Sequence, residues 1–167
     1  MAFEGILRKE KDMIKILFIC HGNICRSPMA EFVMKDMVKK QELEDEFYIA
    51  SAATSTEEIG NPVHHGTRNK LAQVGISTAG KYAVRMERKD YQKYDYIIGM
   101  DRWNYKNMLQ IIGKDRNHKI SLLLDYTDHP RDVADPWYTG DFEKTYEDVI
   151  AGCSGLLTYI KEQHALI

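Results

Sequence analysis

The sequence predicts a single-domain α/β fold, with an open sheet of about four parallel strands and helices on both faces. Apolar runs of strand length alternate along the chain with longer segments of helical periodicity. Strands that alternate with helices imply parallel strands joined by right-handed crossovers. The 167 residues are enough for one domain with a buried core, and no Pro/Gly-rich linker or internal repeat marks a second domain.

The predicted elements follow one another in a regular order. The first strand, Met13 to Cys20, is a nearly continuous apolar run, which is typical of a strand buried on both faces. A helix is predicted from about Pro28, because apolar residues recur there at helical spacing. Three further strands are predicted at Phe47 to Ala53, Tyr94 to Met100 and Lys119 to Leu124. Helical patterns cover Val63 to Val74, Arg102 to Ile112 and a last stripe from Phe142 to Ile160.

Composition excludes several classes of protein. The net charge of −2 gives no general attraction to nucleic acid or to an acidic membrane surface, so neither is expected as a partner. No apolar stretch is long enough to span a bilayer, and the N-terminus lacks the apolar region of a signal peptide. The three cysteines, Cys20, Cys25 and Cys153, do not form the pattern of a secreted disulfide framework. We therefore expect a cytoplasmic protein.

The loop between the first strand and the next helix reads CHGNICRSP. Part of it serves any strand-to-helix connection. Gly22 and Asn23 tolerate positive φ and can form a turn. Ser27 can cap the helix, and Pro28 suits its first position.

The rest of the loop indicates an anion site. A helix N-terminus presents unpaired N–H groups and positive potential, and a tight loop before it adds more donors. Arg26 adds a planar guanidinium suited to two phosphate oxygens. Because such surroundings favour the thiolate form of a cysteine, the loop predicts a nucleophile at Cys20, directly beneath a bound oxyanion.

The segment CHGNICRSPMAE resembles the phosphate-binding loop of low-molecular-weight protein tyrosine phosphatases, whose signature C-x5-R-S follows the first strand. Further segments resemble the same family in the same order, namely SAATSTEEIGNP, KYAVRMERKDYQKYDYIIGMDRWN and ADPWYTGDFEKTYEDV. The resemblance extends from about Met13 to Lys161. It implies a phosphatase domain at 13–167, preceded by an N-terminal extension at 1–12 that is either native or derived from a tag.

The resemblance implies a protein tyrosine phosphatase that hydrolyses phosphotyrosine and small aryl phosphates through a phosphocysteine intermediate. Cys20 and Arg26 are the implied catalytic residues of the loop, and Asp135 is the implied general acid. No metal or other cofactor is expected. The expected partners are a phosphotyrosine-containing protein and free phosphate or another oxyanion, and the expected assembly is a monomer or weak dimer. Without the resemblance, Asp135 before Pro136 would be interpreted as a turn residue.

Other residues fall on the supporting positions of the family's site. Asn23, Ser27 and Ser51 are implied to hold the phosphate-binding loop in shape, and Ser27 also to stabilise the thiolate. Asp101 is predicted mainly as the N-cap of the helix that follows it, with a secondary role packed near the phosphate-binding loop. The remaining loop positions are His21, Gly22, Ile24 and Cys25.

The two other cysteines have different interpretations. Cys25 is either a passive side chain beneath the anion site or, as in some family members, the partner of a reversible disulfide with the nucleophile that protects it from over-oxidation. Both alternatives remain open from the sequence. Cys153 lies on the apolar stripe of the last helix and is predicted to be a core residue.

Two residues depart from the family's pattern. Glu57 stands on the substrate-facing loop where many members have an aromatic residue, so the predicted mouth is Glu57 with Trp137 and Tyr138. A glutamate cannot stack on a phenyl ring, so we expect weaker binding of simple aryl phosphates and a preference for basic flanking residues. Gly80 replaces a histidine that helps to anchor the loop asparagine in many members, which leaves the anchoring of Asn23 open.

Several alternative functions are less consistent with the sequence. An arsenate reductase of this fold relays a disulfide through two downstream cysteines, whereas this chain has only Cys153 there. Protein arginine phosphatases carry threonine where this loop has Ile24. A non-catalytic phosphate-binding module would need neither Cys20 nor Asp135. A metal site built on Cys20, His21 and Cys25 would lack an obvious fourth ligand.

Overall fold

A computed structural model describes residues 12–166 and contains the predicted sheet. Four strands form it: β1 (Ile14–Cys20), β2 (Phe47–Ala53), β3 (Tyr96–Gly99) and β4 (Ile120–Leu122). Their order is β2-β1-β3-β4, and every neighbouring pair is parallel. The predicted fold class is thereby confirmed. The predicted extension at 1–12 lies outside the described residues except for Asp12.

Helices cover both faces of the sheet. They are α1 (Arg26–Lys40), α2 (His65–Ala72), α3 (Asp90–Lys93), α4 (Arg102–Ile112), α5 (Pro136–Thr139) and α6 (Phe142–Gln163), with short 3-10 turns at Glu44–Glu46 and Leu123–Tyr126. Phe18 faces the larger core cluster with residues of α1 and α6. Leu17 and Ile19 belong to the second cluster, with Met108 of α4. Because both faces are buried, β1 is apolar at nearly every position, as the sequence suggested.

The structure shortens some predicted elements. Tyr94 caps the end of α3, so β3 begins two residues later than predicted. The last predicted strand ends at Leu122, because the chain turns into a 3-10 helix in which the Asp125 carboxylate accepts from the Leu122 N–H at 2.9 Å. α2 is shorter than the predicted 63–74, since His64 Nδ1 accepts from the Gly66 N–H and caps it.

The predicted start of the first helix at Pro28 was wrong, and the difference changes the role of Ser27 in the site. α1 begins at Arg26, and its N-cap residue is Cys25, which makes no side-chain capping bond. Ser27 therefore lies inside the first turn and is not the cap. Its hydroxyl interacts instead with Cys20 and Asn23.

The topology places the loop between β1 and α1 at the carboxyl ends of the strands. β1 lies between β2 and β3, so the segments that follow these three parallel strands lie next to one another around this loop. Ligands of open parallel sheets bind at this edge. None of the helices within residues 12–166 is both long and apolar enough to cross a membrane.

Candidate active site

Cys20, the last residue of β1, lies at the base of a cavity that it shares with Arg26 and Asp135. The residue is only 3% exposed. Its Sγ accepts a hydrogen bond from the Asn23 N–H at 3.3 Å and lies 3.0 Å from Ser27 Oγ. The structure thus brings together the thiol, the guanidinium and the carboxyl that the sequence predicted.

The loop owes its shape to Asn23, which has a φ of 59°. The buried side chain of Asn23 makes three hydrogen bonds: its Nδ2 donates to Ser27 Oγ at 2.8 Å and to Ser51 Oγ at 2.9 Å, and its Oδ1 accepts from the Val84 N–H at 3.1 Å. Gly22, in contrast, does not have a positive φ. Only Asn23 therefore makes the left-handed turn expected of this pair.

Several backbone donors in the loop are unused. The N–H groups of Gly22, Ile24, Cys25 and Arg26 donate no hydrogen bond to any group within residues 12–166. They lie between Cys20 and the first turn of the fifteen-residue helix α1. Consecutive unpaired N–H groups at a helix N-terminus form a binding site for an anion.

Arg26 is buried and surrounded by negative groups. Its NH1 donates to Asp101 Oδ2 at 2.6 Å and to the Val133 carbonyl at 2.9 Å, while NH2 lies 3.4 Å from Asp135 Oδ2. Burial alone would lower the pKa of Arg26, but the charges of Cys20, Asp101 and Asp135 raise it above its ordinary value. The guanidinium therefore stays charged in the cavity.

Asp101 has a larger role than the sequence suggested. It caps α4, as predicted, because its Oδ1 accepts from the Asn104 N–H at 2.8 Å. Its other oxygen accepts from Arg26. One carboxylate thus links the start of α4 to the arginine of the phosphate-binding loop and fixes the position of the guanidinium.

Asp135 is the N-cap residue of α5 and lines the cavity. It comes from a segment of the chain far from β1 in the sequence. Its Oδ1 accepts from the Trp137 N–H at 3.0 Å. Asp135 therefore caps the turn that begins at Pro136 and also lines the cavity. The side chain is about one-quarter exposed. The carboxyl is therefore open to the cavity and to solvent, as a group that exchanges protons must be.

The mouth of the cavity contains the predicted residues and one that the sequence analysis missed. Ile24, Glu57, Trp137 and Tyr138 all line it, and the two aromatic side chains are more than half exposed. Glu57 Oε2 lies 2.9 Å from His21 Nε2, so its charge faces that imidazole. The missed residue, Glu58, also lines the cavity. A Cβ at Gly22 would lie 3.2 Å from Glu58 Cγ, so a larger residue there would require the Glu58 side chain to shift slightly.

A buried ion pair supports the loop without the family's histidine. Ser51 Oγ donates to Glu31 Oε1 at 2.6 Å, and Lys81 Nζ donates to the Ser51 carbonyl at 2.8 Å. Lys81 Nζ also lies 3.6 Å from Glu31 Oε1, and burial lowers the pKa of Lys81. Asn23 is therefore anchored through Ser51, although position 80 is glycine. A signal for Glu31 was present in the sequence, as a charge among apolar residues on the buried face of α1.

The other two cysteines, Cys25 and Cys153, lie in different surroundings. Cys25 is buried and lines the same cavity. Burial, together with the nearby charge of Cys20, raises the pKa of Cys25 to about 12. Cys153 is fully buried in the core as predicted, which also raises the pKa of its thiol. Both are free thiols. The raised pKa keeps Cys25 neutral at physiological pH.

The arrangement can perform nucleophilic substitution at a bound oxyanion. A sulfur nucleophile lies at the base, backbone donors and a guanidinium are placed for the oxyanion, and a carboxyl stands at the rim. Within residues 12–166, no group of three or more His, Cys, Asp or Glu side chains is placed to hold a metal ion.

Comparisons with known proteins identify relatives over nearly the whole chain. The low molecular weight phosphotyrosine protein phosphatase family matches residues 15–166. The low molecular weight protein-tyrosine-phosphatase YfkJ of Bacillus subtilis is 40% identical over 156 residues, which cover 92% of this chain and 100% of YfkJ. Its Staphylococcus aureus counterpart PtpA is 35% identical over 148 residues, covering 89% of this chain and 94% of PtpA.

Solved structures agree with this result. The crystal structure of YfkJ superposes with a TM-score of 0.87 at 41% identity, covering 90% of this chain and 96% of that one. SP-PTP, a low molecular weight protein tyrosine phosphatase from Streptococcus pyogenes, superposes with a TM-score of 0.79 at 43% identity, covering 88% and 93%.

Replacement of Glu31 by glutamine tests whether the buried ion pair supports the loop. Glu31→Gln leaves the Lys81 ammonium mostly buried without a counter-charge, so we expect a loss of about 2–4 kcal/mol in the free energy of unfolding and a lower kcat. Lys35→Met is the matched control, because Lys35 pairs with the same carboxylate but is about half exposed. Its loss should stay within about 1 kcal/mol. Urea unfolding and steady-state assays measure both effects. Equal losses in the two variants would contradict the proposed support.

Proposed function

The chain belongs to the low molecular weight phosphotyrosine protein phosphatase family, and on that premise we propose that Cys20, Arg26 and Asp135 carry out its hydrolysis of phosphotyrosine. Cys20 is the nucleophile and forms a phosphocysteine intermediate. Arg26 and the loop N–H groups hold the phosphoryl oxygens. Asp135 is the general acid.

One observation carries this assignment. Cys20 Sγ is buried at the base of the cavity, within hydrogen-bond distance of the Asn23 N–H and the Ser27 hydroxyl, and Arg26 and Asp135 line the same cavity. Cys25 shares the cavity, but burial raises its pKa to about 12 and keeps it protonated. The thiolate is the reactive form of a cysteine, so the surroundings favour Cys20 as the nucleophile.

In the first step the Cys20 thiolate attacks phosphorus. The S–P bond forms and the bond from phosphorus to the ester oxygen breaks, while Asp135 gives its proton to the leaving oxygen. The guanidinium and the unpaired N–H groups stabilise the equatorial oxygens as charge develops.

In the second step water hydrolyses the phosphocysteine. The Asp135 carboxylate takes a proton from the water, the new P–O bond forms, and the S–P bond breaks to return the Cys20 thiolate and free phosphate. Ser27 Oγ, 3.0 Å from Cys20 Sγ, stabilises the departing thiolate by a hydrogen bond. One carboxyl thereby serves as acid and then as base.

The walls of the cavity support an aromatic substrate. Ile24 offers an apolar surface within the loop, and the exposed rings of Trp137 and Tyr138 stand at the rim. A phenyl ring can pack against such groups, whereas the guanidinium of phosphoarginine would bring a second charge against Ile24. Hydrolysis of phosphoarginine is the alternative activity, and Ile24 is the residue that argues against it.

Further properties follow from the same proposal. Inorganic phosphate and other oxyanions should bind the loop as product or inhibitor. The three cysteines of the chain are all free thiols, which supports the expectation of a reducing, cytoplasmic compartment. A monomer or weak dimer remains the expected assembly.

A substrate panel tests the proposed activity. We expect hydrolysis of para-nitrophenyl phosphate and phosphotyrosine peptides without added metal, and at least about tenfold lower kcat/KM for phosphoserine and phosphoarginine peptides of the same sequence. Ile24→Thr is the companion variant and should narrow the gap between phosphotyrosine and phosphoarginine. Faster hydrolysis of phosphoarginine by the unaltered enzyme would make the alternative activity the correct one.

Replacement of Asp135 by asparagine tests the general acid. General acid catalysis contributes about 10²–10⁴-fold, so kcat/KM of Asp135→Asn should fall on that scale for phenyl phosphate, whose leaving group needs the proton. The loss should be smaller for para-nitrophenyl phosphate, whose leaving group does not. Asp132→Asn is the control, since Asp132 pairs with the exposed Arg102 and lies outside the cavity. Equal losses on both substrates would show that Asp135 has another role.

A further inference from the structure

A second cleft lies next to the Cys20 cavity and has a different chemical character. Arg85, Arg88, Asn107 and Gln110 line it, and His21 lines both this cleft and the Cys20 cavity. We call it the arginine cleft. Among residues 12–166, no aspartate or glutamate lines the arginine cleft, whereas Glu57 and Glu58 line the Cys20 cavity.

The two arginines of the cleft are unpaired cations. Arg85 and Arg88 are exposed, and within residues 12–166 neither forms a hydrogen bond or an ion pair through its side chain. The nearest acidic residue in sequence, Glu87, pairs with Lys89 instead. Asn107 and Gln110, on α4, add side-chain amides that can donate to an anion. Two guanidinium groups with neighbouring amides suit a carboxylate.

The base of the arginine cleft is tied to the phosphate-binding loop. Thr54 and Ser55, which line it directly after β2, donate from their N–H groups to the carbonyls of Cys20 and His21 at 3.0 and 3.1 Å. The backbone on either side of Arg85 is hydrogen-bonded to Ala53, with Val84 O accepting at 2.7 Å and Met86 N donating at 2.8 Å. A group bound in the cleft would therefore be held in a fixed position relative to the phosphate above Cys20.

We propose that the arginine cleft binds the carboxylate of an aspartate or glutamate that flanks the phosphotyrosine in the substrate chain. This inference rests on the proposed function and names a substrate class for it. His21 forms the shared wall, so a peptide whose phosphotyrosine fills the Cys20 cavity can extend into the cleft. Glu57 and Glu58 repel an acidic residue from the rim of the Cys20 cavity, where the expected preference for a basic flanking residue applies. An acidic residue on the other flank is therefore directed to the arginines.

The test compares phosphotyrosine peptides that differ only in their flanks. One set carries aspartate at one or two positions before or after the phosphotyrosine, and the reference carries alanine there. Exposed ion pairs are individually weak, so we expect kcat/KM to rise about 3–10-fold for the best acidic peptide at low salt, and the gain to shrink at high salt. Arg85→Ala with Arg88→Ala should abolish the gain and leave para-nitrophenyl phosphate hydrolysis unchanged.

Lys89→Ala is the matched control, because Lys89 is an exposed cation of the same segment that pairs with Glu87 and does not line the cleft. It should keep the gain. If the alanine peptide is hydrolysed as fast as every acidic one, or if the double variant keeps the preference, the arginine cleft is not the subsite, although the phosphatase assignment stands. If the unaltered enzyme hydrolyses no phosphotyrosine peptide at all, both proposals are overturned.

Discussion

The left-handed backbone at Asn23 is the constraint on which the site depends. Residues with a side chain rarely adopt positive φ, and asparagine tolerates it better than most because its short polar side chain can form local hydrogen bonds. Here the side chain of Asn23 makes three buried hydrogen bonds, to Ser27, Ser51 and the Val84 N–H. The turn that results brings the Asn23 N–H to Cys20 Sγ. The same turn leaves the following N–H groups unpaired at the start of α1.

The electrostatics of the site are built around this loop. The buried Arg26 is held by Asp101 and the Val133 carbonyl and approached by Asp135. Its positive charge is therefore fixed in place before any substrate arrives, which avoids the cost of reorganising it during the reaction. Because Asp101 also caps α4, the position of the guanidinium depends on a helix on the opposite face of the sheet from α1.

Local signals in the sequence predicted the fold and part of the candidate site, whereas the role of Asp135 was implied only by the family resemblance. Continuous apolar runs marked the strands, and the loop signature after β1 brought Cys20 and Arg26 into one predicted site. The start of α1 was predicted two residues late, because Ser-Pro has the chemistry of a helix start whereas the hydroxyl of Ser27 is used by Cys20 and Asn23. Local propensity could not reveal that competition.

Contacts between distant segments were beyond the sequence patterns. Glu31 and Lys81 are fifty residues apart, and only the fold shows that they form the buried pair beside Ser51 in a chain with glycine at position 80. The second bond of Asp101, to Arg26, spans 75 residues. Arg85 and Arg88 formed no recognisable sequence motif. Their significance comes from the neighbouring α4 and from a cleft that no acidic residue of the described part of the chain lines.

Covalent catalysis by Cys20 can be tested by trapping the phosphocysteine intermediate. The enzyme would be mixed with a phosphotyrosine peptide, quenched in milliseconds under conditions that preserve phosphothiol esters, and mapped by mass spectrometry. We expect phosphate on Cys20 in the unaltered enzyme and in Cys25→Ser, and neither phosphoenzyme nor turnover in Cys20→Ser. Phosphate on another residue, or continued turnover by Cys20→Ser, would show that Cys20 is not the nucleophile.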